Sequence, residues 1–383
     1  MTSTDRGRLI TAPFALVTLS TFAYFLAIGS LLPTLPRFVE NELGGGSVAV
    51  GFVVGAFAIA AAVLRPFAGR FGDLRGRRIL IVGGSALVGV SVLGYTVADS
   101  LPLMVGLRLV TGVGEAAMWV GAATAIQDMA PPDRRGEAAS YFSVALYGGM
   151  AFGPFAGEWL MKAASFDTVW IAAGCSALVA SVLGLWTPQR IAAERQPFRL
   201  LHPAGLGPGF VLLLGLIPFT GFSTFISLYG PEVSIDDVAP LFLVYGCLVL
   251  VIRIFGATLP DRLGWKLSST IALTMLGAAA LMLAAWGAAP GVWIAMVGFA
   301  AGMSLLFPAL FTAAVASAPE HERSQAVGTF SLFFDLAGGI APPLLGVVVS
   351  LGSYRLAFAV AGLCALAGLV AVSRLEVTEV ATD

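Results

Sequence analysis

The stretch G-R-F-G-D-L-R-G-R-R, residues 69–78, is a short basic loop between two long apolar runs. Those runs, residues 48–68 and 79–98, have about the 20 mostly apolar residues that a membrane-crossing helix needs. The glycines of the loop let the backbone turn tightly, and Asp73 can accept backbone N–H groups or face a helix N-terminus. The sequence here predicts two membrane helices joined by a tight basic loop.

The composition of the whole chain excludes several classes of protein. Of 383 residues, 58% are hydrophobic and 11% are charged, whereas soluble domains have roughly 25% charged residues. The mean hydropathy of +0.92 excludes an ordinary soluble enzyme, a disordered chain and a collagen-like chain. A net charge of −1 gives no basic surface for nucleic acid. The 3 cysteines lie in apolar runs and the 2 histidines in loops, so we expect no disulfide framework, no metal site and no cofactor.

Twelve continuous apolar runs predict an all-α membrane protein with twelve transmembrane helices. The runs are about twice as long as barrel strands and lack their alternation of apolar and polar residues. Most lysines and arginines outside the runs lie in one set of loops, which predicts that this set and both termini are cytoplasmic. The runs are residues 11–35, 48–68, 79–98, 101–126, 138–161, 167–186, 206–230, 238–259, 267–287, 291–316, 325–350 and 354–374.

The two halves of the chain are related by an internal repeat. The longest polar cytoplasmic stretch, residues 187–205, separates six runs in residues 1–186 from six in residues 206–383. A single ungapped shift of 188 residues aligns the halves over about 90 residues. In parallel-repeat transporters of this build the substrate site lies near the midplane, between the halves. Matching pairs include Arg65 with Arg253, Asp73 with Asp261, Gly76 with Gly264, Arg78 with Lys266, and Pro154 with Pro342.

The loop at residues 69–78 resembles the signature G-x-x-x-D-[RK]-x-G-[RK]-[RK] of the major facilitator superfamily, with Leu74 at a usually basic position. A weaker copy, D-R-L-G-W-K, stands at residues 261–266. The resemblance implies a twelve-helix transporter fold whose loop braces the cytoplasmic interface between the halves. The alternative is that the loop only anchors the chain on the cytoplasmic side. The residues that the resemblance assigns to this gating loop are Gly69, Asp73, Gly76, Arg77, Arg78, Asp128, Asp261, Arg262 and Gly264.

Three ionisable residues inside the runs are candidates for proton coupling, since such groups are costly in a membrane and functional by default. Arg108 and Glu115 are seven residues apart, so they share one helix face about 10 Å apart along the axis. Arg108 resembles a family arginine linked to proton transfer. Asp335 lies about 15 Å into the eleventh run, where burial favours the uncharged carboxyl. The alternatives are hydrogen bonds from Arg108 to backbone carbonyls of a neighbouring helix and from Asp335 to a neighbouring helix.

The fifth run contains Y-G-G-M-A-F-G-P-F-A-G, residues 147–157, in which three glycines recur every four residues. They form a bare stripe that a neighbouring helix can approach closely, and Pro154 favours a kink. The stretch resembles the family's antiporter motif G-x-x-x-G-P-x-x-G-G, with Glu158 in place of the last glycine. We expect Glu158 at the membrane interface. The residues of the antiporter-type motif are Gly149, Gly153, Pro154 and Gly157.

Two further groups of residues lie inside the apolar runs. The symmetric placement of Arg65 and Arg253 predicts a shared structural role, such as capping a helix or extending to the cytoplasmic face. Tyr147 is the repeat equivalent of Asp335, so both are expected to face the shared cavity. The aromatic candidates for lining an apolar cavity are Tyr24, Trp119, Tyr147, Phe222 and Tyr245.

Together these features predict a proton-coupled exporter of small apolar or amphipathic compounds in a bacterial cytoplasmic membrane, working as a monomer surrounded by lipid. Its partners would be a small-molecule substrate and protons. The sequence has neither an ATP-binding loop nor a hydrolase motif, so neither ATP-driven transport nor an enzyme is expected. One alternative is a proton-coupled importer of an organic acid or sugar, with an anion held by Arg108. Another is a non-transporting membrane receptor.

Overall fold

The computed structural model describes residues 9–131, 134–189, 201–256, 262–319 and 322–375. Within these ranges the regular structure is helical, which confirms the predicted all-α class. Twelve α-helices of at least 17 residues follow one another. They are α1 (Ala12–Asn41), α2 (Ser47–Arg75), α3 (Arg77–Leu93), α4 (Leu101–Met129), α5 (Arg135–Ala163), α6 (Phe166–Gly184), α7 (Pro203–Tyr229), α8 (Ala239–Phe255), α9 (Trp265–Ala285), α10 (Ala289–Ala316), α11 (Arg323–Leu351) and α12 (Tyr354–Arg374).

Ten of these helices are long and apolar enough to cross a membrane. The other two are α8, which is apolar but has 17 residues, and α5, which contains several glycines and the charged Glu158 and Lys162. The twelve predicted runs coincide with the twelve helices, although several helices are longer than expected. For example, α1 continues through Pro33 and Pro36 to Asn41. Prolines are tolerated inside membrane helices because neighbouring groups satisfy the backbone that they free.

The internal repeat is visible in the backbone where α2 turns into α3 and where the chain enters α9. Gly76 caps α3 with a φ of 89°, and Gly264 caps α9 with a φ of 76°. Both angles lie in a region that side chains with a Cβ rarely adopt. The two residues are separated by the 188-residue shift found in the sequence, so both halves use one turn geometry at the same point.

The two halves touch mainly where α2 packs on α11 and α5 on α8, and α1 also contacts α7. The approach is close: a Cβ on Gly55 would lie 2.7 Å from the carbonyl oxygen of Gly339, and one on Gly246 would collide with Ala151. The buried apolar side chains form two clusters, one made mainly of residues from the first half and one mainly from the second. At these points the backbones of the two halves approach closely through small residues.

Candidate functional site

The main cluster of buried charges lies where α2 meets α11. Arg65 of α2 donates through Nη2 to Oδ1 of Asp335 at 2.8 Å, and its Nε lies 2.8 Å from Oδ2 of the same carboxylate. The same Nη2 contacts Oε2 of Glu115 on α4 at 3.2 Å. These side chains are 12%, 7% and 9% exposed, respectively. One guanidinium therefore joins two carboxylates, one from each half of the chain.

The charges of this cluster do not balance when both acids are ionised. Arg65 carries one positive charge, and Glu115 and Asp335 together carry two negative charges. Uncompensated charge in a low-dielectric site is costly, so binding of one proton by either carboxyl brings the three groups to neutrality. The proton belongs to the coupled pair of acids rather than to one named residue.

An aromatic group borders the cluster on the side of the first half. The guanidinium of Arg65 lies 5.2 Å from the ring centre of Trp119, in cation–π range. Trp119 packs edge-on against Phe25 at 5.8 Å, and Phe25 against Tyr24 at 5.3 Å. Tyr24 is fully buried, so in this conformation it contacts other side chains and presents no surface to a cavity.

The second half has an equivalent contact between α8 and α5. Arg253 donates through Nη2 to the hydroxyl of Tyr147 at 2.7 Å, and its guanidinium lies 4.3 Å from the centre of that ring. By the 188-residue shift, Arg253 corresponds to Arg65 and Tyr147 to Asp335. Each half therefore has an arginine that contacts a helix of the other half, and the two contacts occur at equivalent positions of the repeat.

Arg65 and Arg253 make equivalent contacts, in keeping with a shared role, but these contacts are not the two examples that the sequence suggested. They neither cap a helix nor extend to the cytoplasmic face, because each finds an acceptor across the contact between the halves. Sequence reasoning missed them as site residues since their partners are distant in the chain, at a separation of 270 residues for Arg65 and Asp335. The sequence did contain a signal for this cluster, because one apolar run carries an arginine and other runs carry acids at a similar depth.

Arg108 adopts the arrangement described by its alternative interpretation. It is 5% exposed and donates to the carbonyl oxygens of Val53 at 3.1 Å and Val54 at 3.3 Å. Its guanidinium also lies 4.5 Å from the ring centre of Phe57. Arg108 and Glu115 both contact α2, which agrees with their predicted common face. The carbonyl contacts do not support Arg108 as the holder of an anionic substrate.

The gating loop has the charge network that the family resemblance implies. Arg77 lies 2.6 Å from Oδ1 of Asp73 and 3.3 Å from Oδ2 of Asp128. Arg78 donates to the carbonyl of Thr187 at 2.7 Å. Among the other residues assigned to this loop, Gly69 has open space beside it, Arg262 is exposed, and Asp261 lies outside the described residues. The role of these contacts in gating stays a prediction.

The glycine stripe of α5 faces α1. A Cβ on Gly149 would lie 2.7 Å from the backbone nitrogen of Leu26, and one on Gly153 would lie 2.7 Å from Cα of Gly29. One on Gly157 would collide with the carbonyl oxygen of Ser30. The stripe thus allows two helices of the same half to pack backbone to backbone.

The remaining aromatic candidates belong to the second half. Tyr245 stacks on Phe219 with ring centres 4.5 Å apart and is 8% exposed. Phe222 is fully buried and packs against Phe299 at 5.0 Å, so it is part of the core in this conformation rather than of a cavity wall. Tyr24 and Phe222 therefore depart from their expected positions, because both are enclosed by helix packing.

Glu158 lies near the end of α5, where we expect the membrane interface, but it is enclosed by other side chains. It is 1% exposed because Arg37 of α1 covers it, with Nη1 lying 2.6 Å from Oε1. Arg37 also donates to the carbonyls of Ser227 at 3.1 Å and Asp236 at 3.3 Å, both in the second half. Lys162 extends the group, at 2.9 Å from Asp237. We call Arg37, Glu158, Lys162 and Asp237 the outer cluster; it joins the halves at the end opposite the gating loop.

Comparison with known proteins gives a consistent result over the whole chain. The family model of the Major Facilitator Superfamily matches residues 17–342 and 292–382. An MFS-type transporter of Salmonella typhimurium is 30% identical over 373 residues, covering 94% of this chain and 95% of the relative. One of Pseudomonas aeruginosa is 32% identical over 381 residues, covering 94% and 92%.

Solved structures share the fold at low sequence identity. The human organic anion transporter TETRAN superposes with a TM-score of 0.73 at 18% identity, covering 94% of this chain and 99% of that one. The nucleoside transporter NupG gives a TM-score of 0.73 at 14% identity, with the same coverage. At these identities the likeness concerns the fold alone.

Proposed function

Because the chain belongs to the major facilitator superfamily, whose members are transporters rather than enzymes, we propose that it is a proton-coupled exporter of small apolar or amphipathic compounds. The family membership makes it a multi-pass membrane protein and a secondary transporter. The exchange of substrate for protons is our proposal, and it rests on the buried acids at the contact between the halves.

The proposed topology has twelve spans with both termini in the cytoplasm of a bacterium. It is supported by the twelve helices and by the basic residues concentrated in one set of loops. The rocking units are residues 1–186 and 206–383, joined by a cytoplasmic linker at residues 187–205. The protein works as a monomer, held by the lipid of the inner membrane.

The observation that carries the proposal is the link formed by Arg65 between Glu115 and Asp335. Because Asp335 is in the second half and Glu115 in the first, protonation of Asp335 removes the ionic part of a contact between the halves. A proton thereby changes the relative energies of two conformations, which is the differential interaction that coupling requires. One charge moved through 100 mV supplies about 2.3 kcal/mol.

The conformation described here fits one stage of this cycle. The outer cluster joins the halves at the end of the helices opposite the gating loop. With the proposed topology the closed end is the outer one. The coupling acids then receive substrate and protons from the cytoplasmic side.

A second candidate is proton-coupled import of an organic acid. It is favoured by Arg253, whose described polar partner is the neutral hydroxyl of Tyr147 rather than a carboxylate. The direction of proton movement distinguishes the two candidates, because an importer carries protons and substrate together.

The test is flux in proteoliposomes that hold a panel of dyes and amphipathic drugs, with an imposed pH gradient and a pH-sensitive probe inside. An exporter moves protons opposite to the substrate. Proton movement in the same direction as the substrate supports the importer. A preparation that shows no flux of any panel member, including organic acids, contradicts both transport candidates and favours a receptor.

A further inference from the structure

We propose that Arg253, together with Tyr147, forms an anion-binding subsite that holds the acidic group of an amphipathic substrate. The inference rests on the proposed transport function and adds a substrate class to it. Its starting point is the difference between Arg253 and its repeat equivalent, Arg65.

The two arginines have the same place in the fold but different partners. Arg65 is neutralised by Glu115 and Asp335. The repeat equivalents of those acids are Met303 in the second half and Tyr147 in the first, and neither is a carboxylate. Within the described ranges, no carboxylate lies within ion-pair distance of Arg253.

Arg253 is held in a fixed position although no acid of the described residues balances its charge. The hydrogen bond to the hydroxyl of Tyr147 and the contact with its ring orient the guanidinium. The buried Nε has no hydrogen-bond acceptor among the described residues. Arg253 stands in the last turn of α8, whose partial negative charge favours a cation but does not replace a carboxylate.

The chemistry of this group suits a carboxylate or a similar anion. Arg253 is partly buried, so its charge is partly removed from solvent, and a guanidinium fork matches two oxygens of one acid group. Tyr147 adds a hydroxyl that can donate to the same anion.

The position of Arg253 also suits access from the cytoplasmic side. Further along α8, toward its outer end, Gly246 packs directly against Ala151 and closes the contact between α8 and α5. Arg253 lies on the inner side of that closed contact under the proposed topology. An anion entering from the cytoplasm meets the guanidinium before the small-residue barrier.

The test is equilibrium binding to the purified full-length protein, measured by calorimetry at constant pH. The probes are matched pairs in which a carboxylate is replaced by its neutral amide: octanoate with octanamide, and 2-naphthoate with 2-naphthamide. A charge-assisted contact of about 1.5–3 kcal/mol corresponds to roughly 10- to 100-fold tighter binding. We expect that preference for the carboxylates in the wild type, and its loss in Arg253→Gln with amide binding unchanged.

Two further variants and a control keep the result interpretable. Arg253→Lys retains the charge without the fork and should keep part of the preference, whereas Tyr147→Phe should weaken carboxylate binding alone. Arg355→Gln, which removes an arginine that donates to the carbonyls of Ala284 and Ala285, should leave the preference intact. Equal binding of acids and amides by the wild type, including no binding of either, overturns the proposal. So does a preference that survives in Arg253→Gln.

The binding test separates this inference from the proposed function. It needs neither a pH gradient nor transport, so a failure of proton-driven flux leaves its outcome unaffected. Conversely, a protein that exports neutral amphipathic compounds in exchange for protons, yet shows no preference for carboxylates, retains the proposed function and loses the anion subsite.

Discussion

Arg65 and Asp335 form an ion pair between two halves of one chain, with 2.8 Å between Nε and Oδ2. The equivalent contact in the other half joins Arg253 to Tyr147 through a neutral hydrogen bond of 2.7 Å. The fold therefore repeats the position of the contact and changes its chemistry. Both acids, Glu115 and Asp335, lie at the contact made by Arg65, and the first prediction concerns them.

Replacing either coupling acid by its amide should abolish substrate-dependent proton movement. Asp335→Asn or Glu115→Gln leaves one carboxylate for one guanidinium, so the cluster is neutral without a proton. Exchange of labelled substrate across the membrane at equal concentration should persist, because it needs no net proton transfer. Both processes can be followed in proteoliposomes with a pH-sensitive probe and a labelled substrate.

A matched control for these variants is Glu137→Gln. Glu137 is 42% exposed and pairs with Arg134 at 2.8 Å, away from the contact between the halves. The Glu137→Gln protein should transport protons as the wild type does. Normal proton movement in both Asp335→Asn and Glu115→Gln would contradict the assignment of the coupling acids.

Removing Arg65 should destabilise the folded protein more than removing one acid. Arg65→Gln leaves two buried carboxylates beside each other, and the loss of one member of a buried ion pair costs about 3–5 kcal/mol. We expect a clear fall in the melting temperature of the purified protein. Adding Asp335→Asn to Arg65→Gln should recover part of that fall, since it removes one unpaired acid. If the double variant melts lower than Arg65→Gln, the charge argument is wrong.

Weakening the outer cluster should favour the conformation that is open at that end. Arg37→Gln removes the ion pair with Glu158 and the donors to Ser227 and Asp236. Ser227 is 1% exposed, so a cysteine placed there should react slowly with an impermeant maleimide. In the Arg37→Gln background the labelling rate of Ser227→Cys should rise several-fold in cells. The protein used should lack the native cysteines. An unchanged labelling rate would mean that the outer cluster does not hold the outer end closed.

A side chain in the glycine stripe should disturb packing between α1 and α5. Gly153→Ala places a Cβ 2.7 Å from Cα of Gly29, so a backbone must shift and the melting temperature should fall. Gly83→Ala is the control, because a Cβ there meets nothing within 4 Å. In a helix that change lowers the entropy of the unfolded chain and should stabilise the protein slightly, by about 0.4–1 kcal/mol. Equal melting temperatures for the two variants would show that α5 does not depend on the bare stripe.

The sequence indicates the helices and the repeat because both depend on local patterns. Apolar length identifies each helix, and Gly76 and Gly264 stand in matching loops because the same turn requires both. The sequence does not show which faces of the helices meet one another. Arg65 finds Asp335 through packing of α2 on α11, and nothing near Arg65 in the chain indicates that partner.

The position of Glu158 shows the same limit. A charge near the end of a span is normally at the interface, yet Arg37 on another helix encloses this one. Arg108 was placed correctly on the face of α4 that carries Glu115, since that follows from helical spacing. Its acceptors, the carbonyls of Val53 and Val54, depend on the distance between two helices, which spacing along one helix does not determine.

The unequal contacts of the two halves have a consequence for the order of events in a transport cycle. The bond from Arg253 to the hydroxyl of Tyr147 involves no carboxylate, so a proton that binds to the acids does not change its partners. The ion pair between Arg65 and Asp335, in contrast, weakens when Asp335 binds a proton. Separation of the halves should thus begin along α2 and α11, with α5 and α8 acting as the pivot. The protein would open asymmetrically although its architecture is nearly symmetric.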